Sequence, residues 1–381
     1  MVFRVETIQP ETLEQLRQAL ADAAGSRKRI TLGGAFSKRR MAGPVAPADV
    51  TISTVSLNRV LQYEPRDLTL SVEAGVRYCE LSRLLDRQGQ MLPLDPPFSD
   101  SATIGGVLAA NTSGPRRRLY GTVRDLVIGA KFVTLEGRLV QSGGMVVKNV
   151  AGLDMAKLLI GSFGTLAAIA VVNFKVLPKP PATRTFLARF DSCDGALAAR
   201  DRLLQSPLQP AAMDLFNPAA ACWLGREGWL LAVQAAGNTA VLDRFAREVP
   251  ADSVLEAGEE TRFWRMVQDF TPRFLNGCAE ATVVRVSCTL AQLGDVARST
   301  DQPLVARAAS GVCYAHFAGP AEAVSWIRPG WKAVIEFAPE ERKQELELWP
   351  RPGEDLAVMR RIKHYFDPYG LLNPGRLYGR L

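Results

Sequence analysis

Residues 93–125 form a long stretch rich in Pro, Gly, Ser, Thr and Arg, with almost no helical or strand periodicity. The residues before it alternate between a helical pattern, as after Pro10, and strand patterns such as Val50-Thr51-Ile52-Ser53. A loop of this length inside a compact domain is usually functional. The mixture of helix and strand predicts an α/β or α+β layer architecture, and the long stretch predicts a functional loop within it.

Proline-rich breaks divide the chain into three parts. A first domain is predicted over residues 1–178, because three prolines interrupt the pattern directly afterwards. A second domain is predicted over residues 182–350, where strand-like segments alternate with alanine-rich helical ones. The last segment, residues 355–381, begins with apolar residues at helical spacing.

The charge and hydropathy of the chain argue against several classes of protein. The net charge is +7, but no run of five like charges occurs and clusters such as Arg116-Arg117-Arg118 are short, so nucleic-acid binding has little support. The longest apolar run, residues 166–172, is far shorter than the roughly 20 residues of a membrane-spanning helix. The amino-terminal residues show no secretory signal. We expect a cytoplasmic protein, with peripheral contact at the inner face of the cell membrane as a further option.

Metal chemistry is not expected either. The six cysteines include no Cys-x-x-Cys pair, and the two histidines, His316 and His364, lie far apart in the sequence. Iron–sulfur clusters and structural zinc sites need closer spacing of their ligands. The chain is therefore expected to hold no metal of its own.

The first glycine loop, residues 32–38, follows a predicted strand. Successive glycines, Gly33 and Gly34, let several main-chain N–H groups point to one spot, a nest that suits phosphate oxygens. Ser37 and Lys38 add a hydroxyl group and a positive charge. An ordinary turn is the alternative, and neither a Walker loop nor a Gly-x-Gly-x-x-Gly fingerprint occurs.

Two further loops have a similar character. In residues 101–114, small side chains flank Gly105 and Gly106, which allows a flat group to approach the main chain. The same string is compatible with a helix N-terminus followed by an exposed basic loop. Residues 161–165 form a third loop between a predicted helix and a predicted strand, where main-chain groups can meet an adenine or a ribose.

These loops, in this order and spacing, resemble the FAD-binding domain of the vanillyl-alcohol oxidase / p-cresol methylhydroxylase family. More narrowly, the chain resembles the FAD-binding E subunits of bacterial glycolate oxidases. The strings that carry the match are residues 33–38, 89–93, 95–97, 113–117, 123–129, 147–154, 161–166, 175–180 and 372–376.

The resemblance implies a two-part FAD-binding domain of the p-cresol methylhydroxylase (PCMH) type with a C-terminal α+β cap domain. It implies noncovalent FAD, since residues 31–44 hold no histidine and residues 93–114 no cysteine that could tether the flavin. The implied cofactor-binding residues are Gly33, Gly34, Ala35, Phe36, Ser37, Lys38, Pro96, Thr103, Gly105, Gly106, Asn111, Ser113, Gly114, Arg118, Gly121, Val123, Asp125, Gly161, Gly164, Thr165, Ile169 and Asn373.

The resemblance also implies a reaction and partners. The chain would take part in oxidising glycolate, a 2-hydroxy acid, to glyoxylate, beside a homologous hydroxy-acid-oxidising FAD subunit and an iron–sulfur subunit. Related dehydrogenases carry several cap histidines, of which this chain keeps at most His316, its candidate base. Arg376 is the candidate positive group that would stabilise the anionic reduced flavin or a substrate carboxylate. The alternatives are a self-sufficient FAD-dependent dehydrogenase of glycolate or D-lactate and an inert flavin-domain scaffold.

Overall fold

The computed structural model describes residues 5–146 and 153–381. Part of the string at 147–154 therefore lies outside the described residues. The strands are β1 (Glu6–Ile8), β2 (Ile30–Gly33), β3 (Val50–Ser53), β4 (Val60–Glu64), β5 (Thr69–Glu73), β6 (Gln90–Met91), β7 (Val127–Val133), β8 (Leu139–Gly143), β9 (Ala168–Lys175), β10 (Leu177–Pro178), β11 (Ala182–Phe190), β12 (Ala212–Phe216), β13 (Trp229–Gly237), β14 (Ser253–Leu255), β15 (Thr282–Ser287), β16 (Leu304–Arg307), β17 (Val312–Phe317) and β18 (Lys332–Phe337).

Helices connect and cover these strands. They are α1 (Leu13–Gly25), α2 (Tyr78–Asp86), α3 (Ile104–Ala110), α4 (Arg117–Tyr120), α5 (Val123–Leu126), α6 (Met155–Leu159), α7 (Cys193–Gln205), α8 (Pro218–Trp223), α9 (Thr239–Glu248), α10 (Ala257–Gln268), α11 (Phe270–Gly277), α12 (Leu293–Ala297), α13 (Pro320–Trp326) and α14 (Asp355–Phe366). Two 3₁₀ turns, Thr54–Ser56 and Glu340–Glu345, complete the set. Within the described ranges, none of these helices is long and apolar enough to cross a membrane.

Among the described residues, the amino-terminal part contains two larger sheets and a two-stranded sheet of β6 and β10. A parallel sheet has the order β1-β3-β2, and an antiparallel sheet has the order β4-β5-β9-β7-β8. The central strand β9 is apolar and almost wholly buried, as expected of a strand covered on both faces. Helix α1 begins at Thr12, whose side chain accepts a hydrogen bond from the Gln15 N–H. It buries Leu16, Leu20 and Ala23 along one face, which confirms the helical spacing read from the sequence.

The middle of the chain folds into one eight-stranded antiparallel sheet, which we call the cap sheet. Its strand order is β14-β11-β13-β12-β16-β17-β15-β18. Helices α7, α9 and α12 pack on it around an apolar core that includes Phe186, Phe245 and Val283. Alternate residues of its strands, such as Arg285 and Ser287 on β15 and Val305 and Arg307 on β16, line a cavity that also contains Asn111 and Phe163 of the amino-terminal part.

The end of the chain returns to the amino-terminal part. After α14, the Ile30 N–H donates to the Leu371 carbonyl (2.8 Å), and the Asn373 N–H donates to the Ile30 carbonyl (2.9 Å). The Lys363 ammonium donates to the carbonyls of Thr165 and Leu372, both at 2.8 Å. The last residues therefore extend the parallel sheet beside the first glycine loop.

Residues 93–125 contain more helix than the sequence pattern suggested. Helix α3 occupies residues expected to be loop, because Thr103 caps its N-terminus by accepting a hydrogen bond from the Gly106 N–H (3.3 Å). The expectation of a long loop was wrong at this point. The short helix turns Gly105 and its neighbours into one wall of a cavity.

Candidate functional site

The first glycine loop lines a cavity of about 440 Å³, which we call the first cavity. The main-chain N–H groups of residues 34–38 donate to no acceptor among the described residues. Phe36 adopts φ = +52°, a left-handed conformation of the kind that makes successive N–H groups converge in anion-binding nests. The loop therefore offers a row of free donors beside an open space.

Cations surround this loop. Lys38, Arg39, Lys343 and Arg376 all line the first cavity. Burial lowers the pKa of the Lys38 ammonium to about 8 and that of the Arg376 guanidinium to about 10. Both groups stay predominantly positive at neutral pH, so the cavity combines main-chain donors with a positive potential, which suits a phosphate group.

The second loop closes one side of the first cavity. A Cβ atom on Gly34 would lie 2.1 Å from the Thr103 hydroxyl oxygen, and one on Gly105 would lie 2.8 Å from the Ala74 Cβ. Contacts this close leave no room for a larger residue at either glycine. The two glycine loops are thus in direct contact.

Asn373 joins the first loop to the third. Its side-chain oxygen accepts from the Leu32 N–H (2.8 Å), and its amide nitrogen donates to the carbonyls of Leu32 and Phe163, both at 2.9 Å. The side chain is buried and its hydrogen-bonding groups are used by protein. Asn373 therefore holds the two loops in register.

A second cavity, of about 650 Å³, lies between the loops and the cap sheet. It shares Ala110 and Phe163 with the first cavity, so the two adjoin. Its polar wall comes from the cap sheet and the end of the chain, and the residues of that wall used below are Arg285, Arg307, Tyr314, His316, Glu336 and Tyr378.

Two ion pairs dominate this wall. Arg285 Nε lies 3.1 Å from Glu336 Oε2, and Arg307 pairs with Asp214 on the neighbouring strand. Burial raises the pKa of Asp214 to about 6 despite Arg307, and it also raises the pKa of Glu336 despite Arg285. Arg307 Nε finds no hydrogen-bond partner among the described residues. The wall is therefore rich in charges that largely cancel.

His316 lies inside the cap rather than at an open position. It is fully buried, with Nε2 2.9 Å from the Thr271 hydroxyl and Nδ1 3.1 Å from the Pro303 carbonyl. Burial lowers the pKa of its imidazole to about 4, and the rings of Phe270 and Phe274 pack against it. Both ring nitrogens are occupied, so the geometry gives His316 a structural place instead of the role of base suggested by the sequence.

Arg376, the other candidate, binds main chain. Its guanidinium donates to the carbonyls of Lys38 (2.6 Å), Arg39 (3.1 Å) and Gly43 (3.1 Å). Arg376 therefore positions the first loop at the first cavity, whereas the sequence placed it beside the flavin ring or a substrate.

The structure gathers most of the cofactor-binding residues predicted from the sequence. The first cavity is lined by Gly33, Gly34, Ala35, Phe36, Ser37, Lys38, Thr103, Gly105, Gly106, Gly164, Ile169 and Asn373. The second is lined by Asn111, Ser113 and Gly161. Neither cavity is lined by Pro96, Gly114, Arg118, Gly121, Val123, Asp125 or Thr165.

Several of the outlying residues have local structural roles. The Asp125 carboxylate accepts from the Thr122 N–H (2.7 Å) and caps α5, and a Cβ on Gly121 would lie 2.7 Å from that carboxylate. The Thr165 hydroxyl donates to the Ser162 carbonyl (2.7 Å), and the Gly114 N–H donates to the Leu94 carbonyl (2.8 Å). These contacts support the loops from behind.

Sequence reasoning missed Lys343 and the charged residues of the second cavity. Asp214, Arg285 and Glu336 each stand between two apolar neighbours in a strand, in Met-Asp-Leu, Val-Arg-Val and Ile-Glu-Phe contexts. A charged residue in such a run is seldom buried unless it is paired or functional, so this signal was available. Lys343 lies in a polar 3₁₀ turn and carried no such signal.

The residues present fit a dinucleotide cofactor. Free main-chain donors and cations line the first cavity. Gly34 leaves no room for a side chain there, because an added Cβ would lie 2.1 Å from the Thr103 hydroxyl oxygen. The adjoining second cavity provides the space for a flat ring next to small residues such as Ala110 and Ser113. Among the described residues, no group of three His, Cys, Asp or Glu side chains could hold a metal ion.

Comparison with known proteins agrees with this geometry. The family described as FAD binding domain matches residues 6–143, and the family described as FAD linked oxidases, C-terminal domain, matches residues 341–377. The fold is shared with p-cresol methylhydroxylase, at a TM-score of 0.76 and 14% identity, over 98% of this chain and 88% of that one. The chain is similar to FAD-linked oxidases in both of these regions, and its cofactor is FAD.

Two of the similar proteins are subunits of glycolate oxidases. Glycolate oxidase subunit GlcE of Escherichia coli is 28% identical to this chain over 97% of both proteins. Glycolate oxidase subunit GlcD of Bacillus subtilis is 29% identical over 55% of this chain and 45% of its own length. The resemblance read from the sequence, the α+β fold and FAD as cofactor are thereby confirmed.

Proposed function

We propose that this chain is the FAD-binding subunit of a glycolate oxidase-type complex, which oxidises glycolate or a similar 2-hydroxy acid to the 2-oxo acid. Similarity to GlcE along almost the whole chain supports the assignment. The observation that carries it is the pairing of a first cavity suited to a phosphate group with an adjoining second cavity whose cap-sheet wall contains Arg285 and Arg307.

The residues of this chain have separate tasks in the proposal. Residues 34–38 bind the cofactor diphosphate through main-chain N–H groups, and Lys38 adds charge. The bound FAD would supply a redox centre that can accept and pass on electrons. Arg285 and Arg307 bring positive charge to the second cavity, although Glu336 and Asp214 already neutralise much of it.

Removal of the hydroxyl proton is the step for which this chain is poorly equipped. Oxidation of a 2-hydroxy acid requires a base for that proton. His316 is bonded at both nitrogens, and His364 is exposed on α14. We therefore assign the whole oxidation step, removal of the hydroxyl proton together with hydride transfer, to the homologous GlcD-like subunit, and electron transfer toward an iron–sulfur subunit to the flavin held here.

The same proposal places the complex in the cytoplasm. Contact with the inner face of the membrane would then involve the assembled complex.

Activity measurements on matched preparations test this proposal. The chain reconstituted with FAD is expected to show little glycolate-dependent dye reduction alone, and to support strong reduction when co-expressed with a GlcD-like subunit. Equal activity of the isolated chain would instead identify a self-sufficient dehydrogenase. Full activity of a complex carrying Gly34→Ala in this chain, with no flavin at this site, would identify a scaffold.

A further inference from the structure

The main chain at and directly after the end of the first loop, residues 38–43, is held by two cations from the C-terminal part of the chain. The Lys343 ammonium donates to the Arg39 carbonyl (2.7 Å) and, at 3.4 Å, to the Met41 carbonyl. The Arg376 guanidinium donates to the carbonyls of Lys38, Arg39 and Gly43. We call Lys343 and Arg376 the loop clamp.

The clamp fixes the orientation of the peptide groups that directly follow the free donors of residues 34–38. In a planar trans peptide the carbonyl and the N–H point in opposite directions. Holding the carbonyls of Lys38 and Arg39 therefore fixes the two peptide planes at which the row of donors ends. Lys343 and Arg376 also line the first cavity themselves, so they contribute their charge to the same space.

Arg40, which follows the first loop, links this part of the chain to the cap. It lies among the residues whose carbonyls the loop clamp holds, and it donates to the carbonyls of Leu275 (3.0 Å) and Cys278 (3.3 Å) at the end of α11. The loop is therefore fixed both from the 3₁₀ turn that carries Lys343 and from the cap helix.

Lys343 is an unusual lysine. Its side chain is only 2% exposed, and its two hydrogen bonds go to main-chain carbonyls rather than to a carboxylate. A buried ammonium without a close anion is costly. An anion bound in the first cavity would offset the desolvation cost of the Lys343 ammonium.

We propose that Lys343 is a positioning residue for the FAD diphosphate: it holds the first loop in its binding conformation and adds its charge to the first cavity. This proposal rests on the FAD site proposed above. It extends that site to the C-terminal part of the chain, so that cofactor binding stabilises the contact between the loop and the cap.

The electrostatic surroundings of Lys343 predict a pH dependence of FAD binding. Burial, with Arg376 and Arg40 nearby, lowers the pKa of Lys343 to about 7, and Glu340 and Glu341 oppose the shift. A bound diphosphate favours the charged form and raises that pKa. Binding above pH 7 must then take up a proton, so FAD affinity falls as the pH rises from 7 to 9.

FAD titration of apoprotein, followed by quenching of flavin fluorescence, tests the proposal. Lys343→Gln keeps a donor but loses the charge, and we expect about tenfold weaker binding at pH 6.5 and a smaller loss of affinity between pH 7 and 9. Lys343→Arg stays charged throughout, so it should bind tightly with the same reduced pH dependence. Lys28→Gln, at an exposed lysine, is the matched control and should behave as wild type.

Lys38→Gln is measured beside these variants, because the pKa of Lys38, about 8, lies in the same pH window. Wild-type affinity and wild-type pH dependence in both Lys343 variants would overturn the proposal. If Lys343→Gln fails to fold, the pH profile of Lys343→Arg alone decides. Failure of the wild-type chain to bind FAD would instead refute the FAD site itself.

Discussion

The two cavities differ in the protein groups that line them. The first is lined largely by main chain, with free N–H groups and small residues held by Asn373 and the loop clamp. The second is walled by side chains of the cap sheet, where each arginine already has a carboxylate partner. A site that is preorganised for an anion thus adjoins one whose charges are balanced. This difference favours firm cofactor binding with catalysis shared with another subunit.

The largest expected effect concerns the cap. Burial holds the pKa of His316 near 4, below the ordinary 6.5, so the folded state favours the neutral ring. The stabilisation is present above pH 6.5 and is lost as the pH falls from 6.5 to 4, by about 3 kcal/mol at most.

Thermal unfolding across this pH range measures the loss. His316→Gln should flatten the profile while leaving the activity of the complex largely intact. A His316→Gln complex that folds normally but has lost its activity would restore His316 as a base and would remove the contrast between the cavities.

The next effect concerns the contact between the glycine loops. Gly34→Ala places a Cβ 2.1 Å from the Thr103 hydroxyl, and such overpacking costs about 2 kcal/mol, or about thirtyfold in FAD affinity. Gly258→Ala is the control, since an added Cβ there meets no atom within 4 Å. Fluorescence titration with FAD compares the two variants. Equal affinities would mean that the loop contact is unimportant for the cofactor.

A smaller effect is expected at the bridge between the first and third loops. Asn373→Ala removes three hydrogen bonds to Leu32 and Phe163 and should weaken FAD binding about tenfold. The Kd for FAD and the melting temperature of the apoprotein are measured together. A lower melting temperature with unchanged FAD affinity would show that Asn373 stabilises the fold and does not contribute to FAD binding.

The smallest effect is expected at Arg118, which is exposed and lines neither cavity. Arg118→Ala should change FAD affinity by less than about twofold, as expected for a surface charge. A tenfold loss of affinity in the same titration would show that the sequence assignment of Arg118 was correct and that the first cavity extends further than described.

The sequence predicted the first cavity better than the second for a physical reason. Gly33, Gly34 and their neighbours act through main-chain groups, and such loops leave a local signature in small residues. Arg285 contacts Glu336, and Arg307 contacts Asp214, only because β12, β15, β16 and β18 lie in one sheet. The sheet brings together residues that are far apart in the chain. The resemblance also assigned Gly121 and Asp125 to the cofactor; both take part in a helix cap and neither lines the two cavities, so that assignment stays a prediction.

The flavin content of the purified chain tests the central claim most directly. The chain is saturated with FAD, freed of excess cofactor, and precipitated with acid, after which absorbance is read in the supernatant and the pellet. We expect one FAD per chain, all of it released into the supernatant. A chain that retains no flavin after reconstitution, or a flavin that stays attached to the pellet, would contradict the noncovalent site described above.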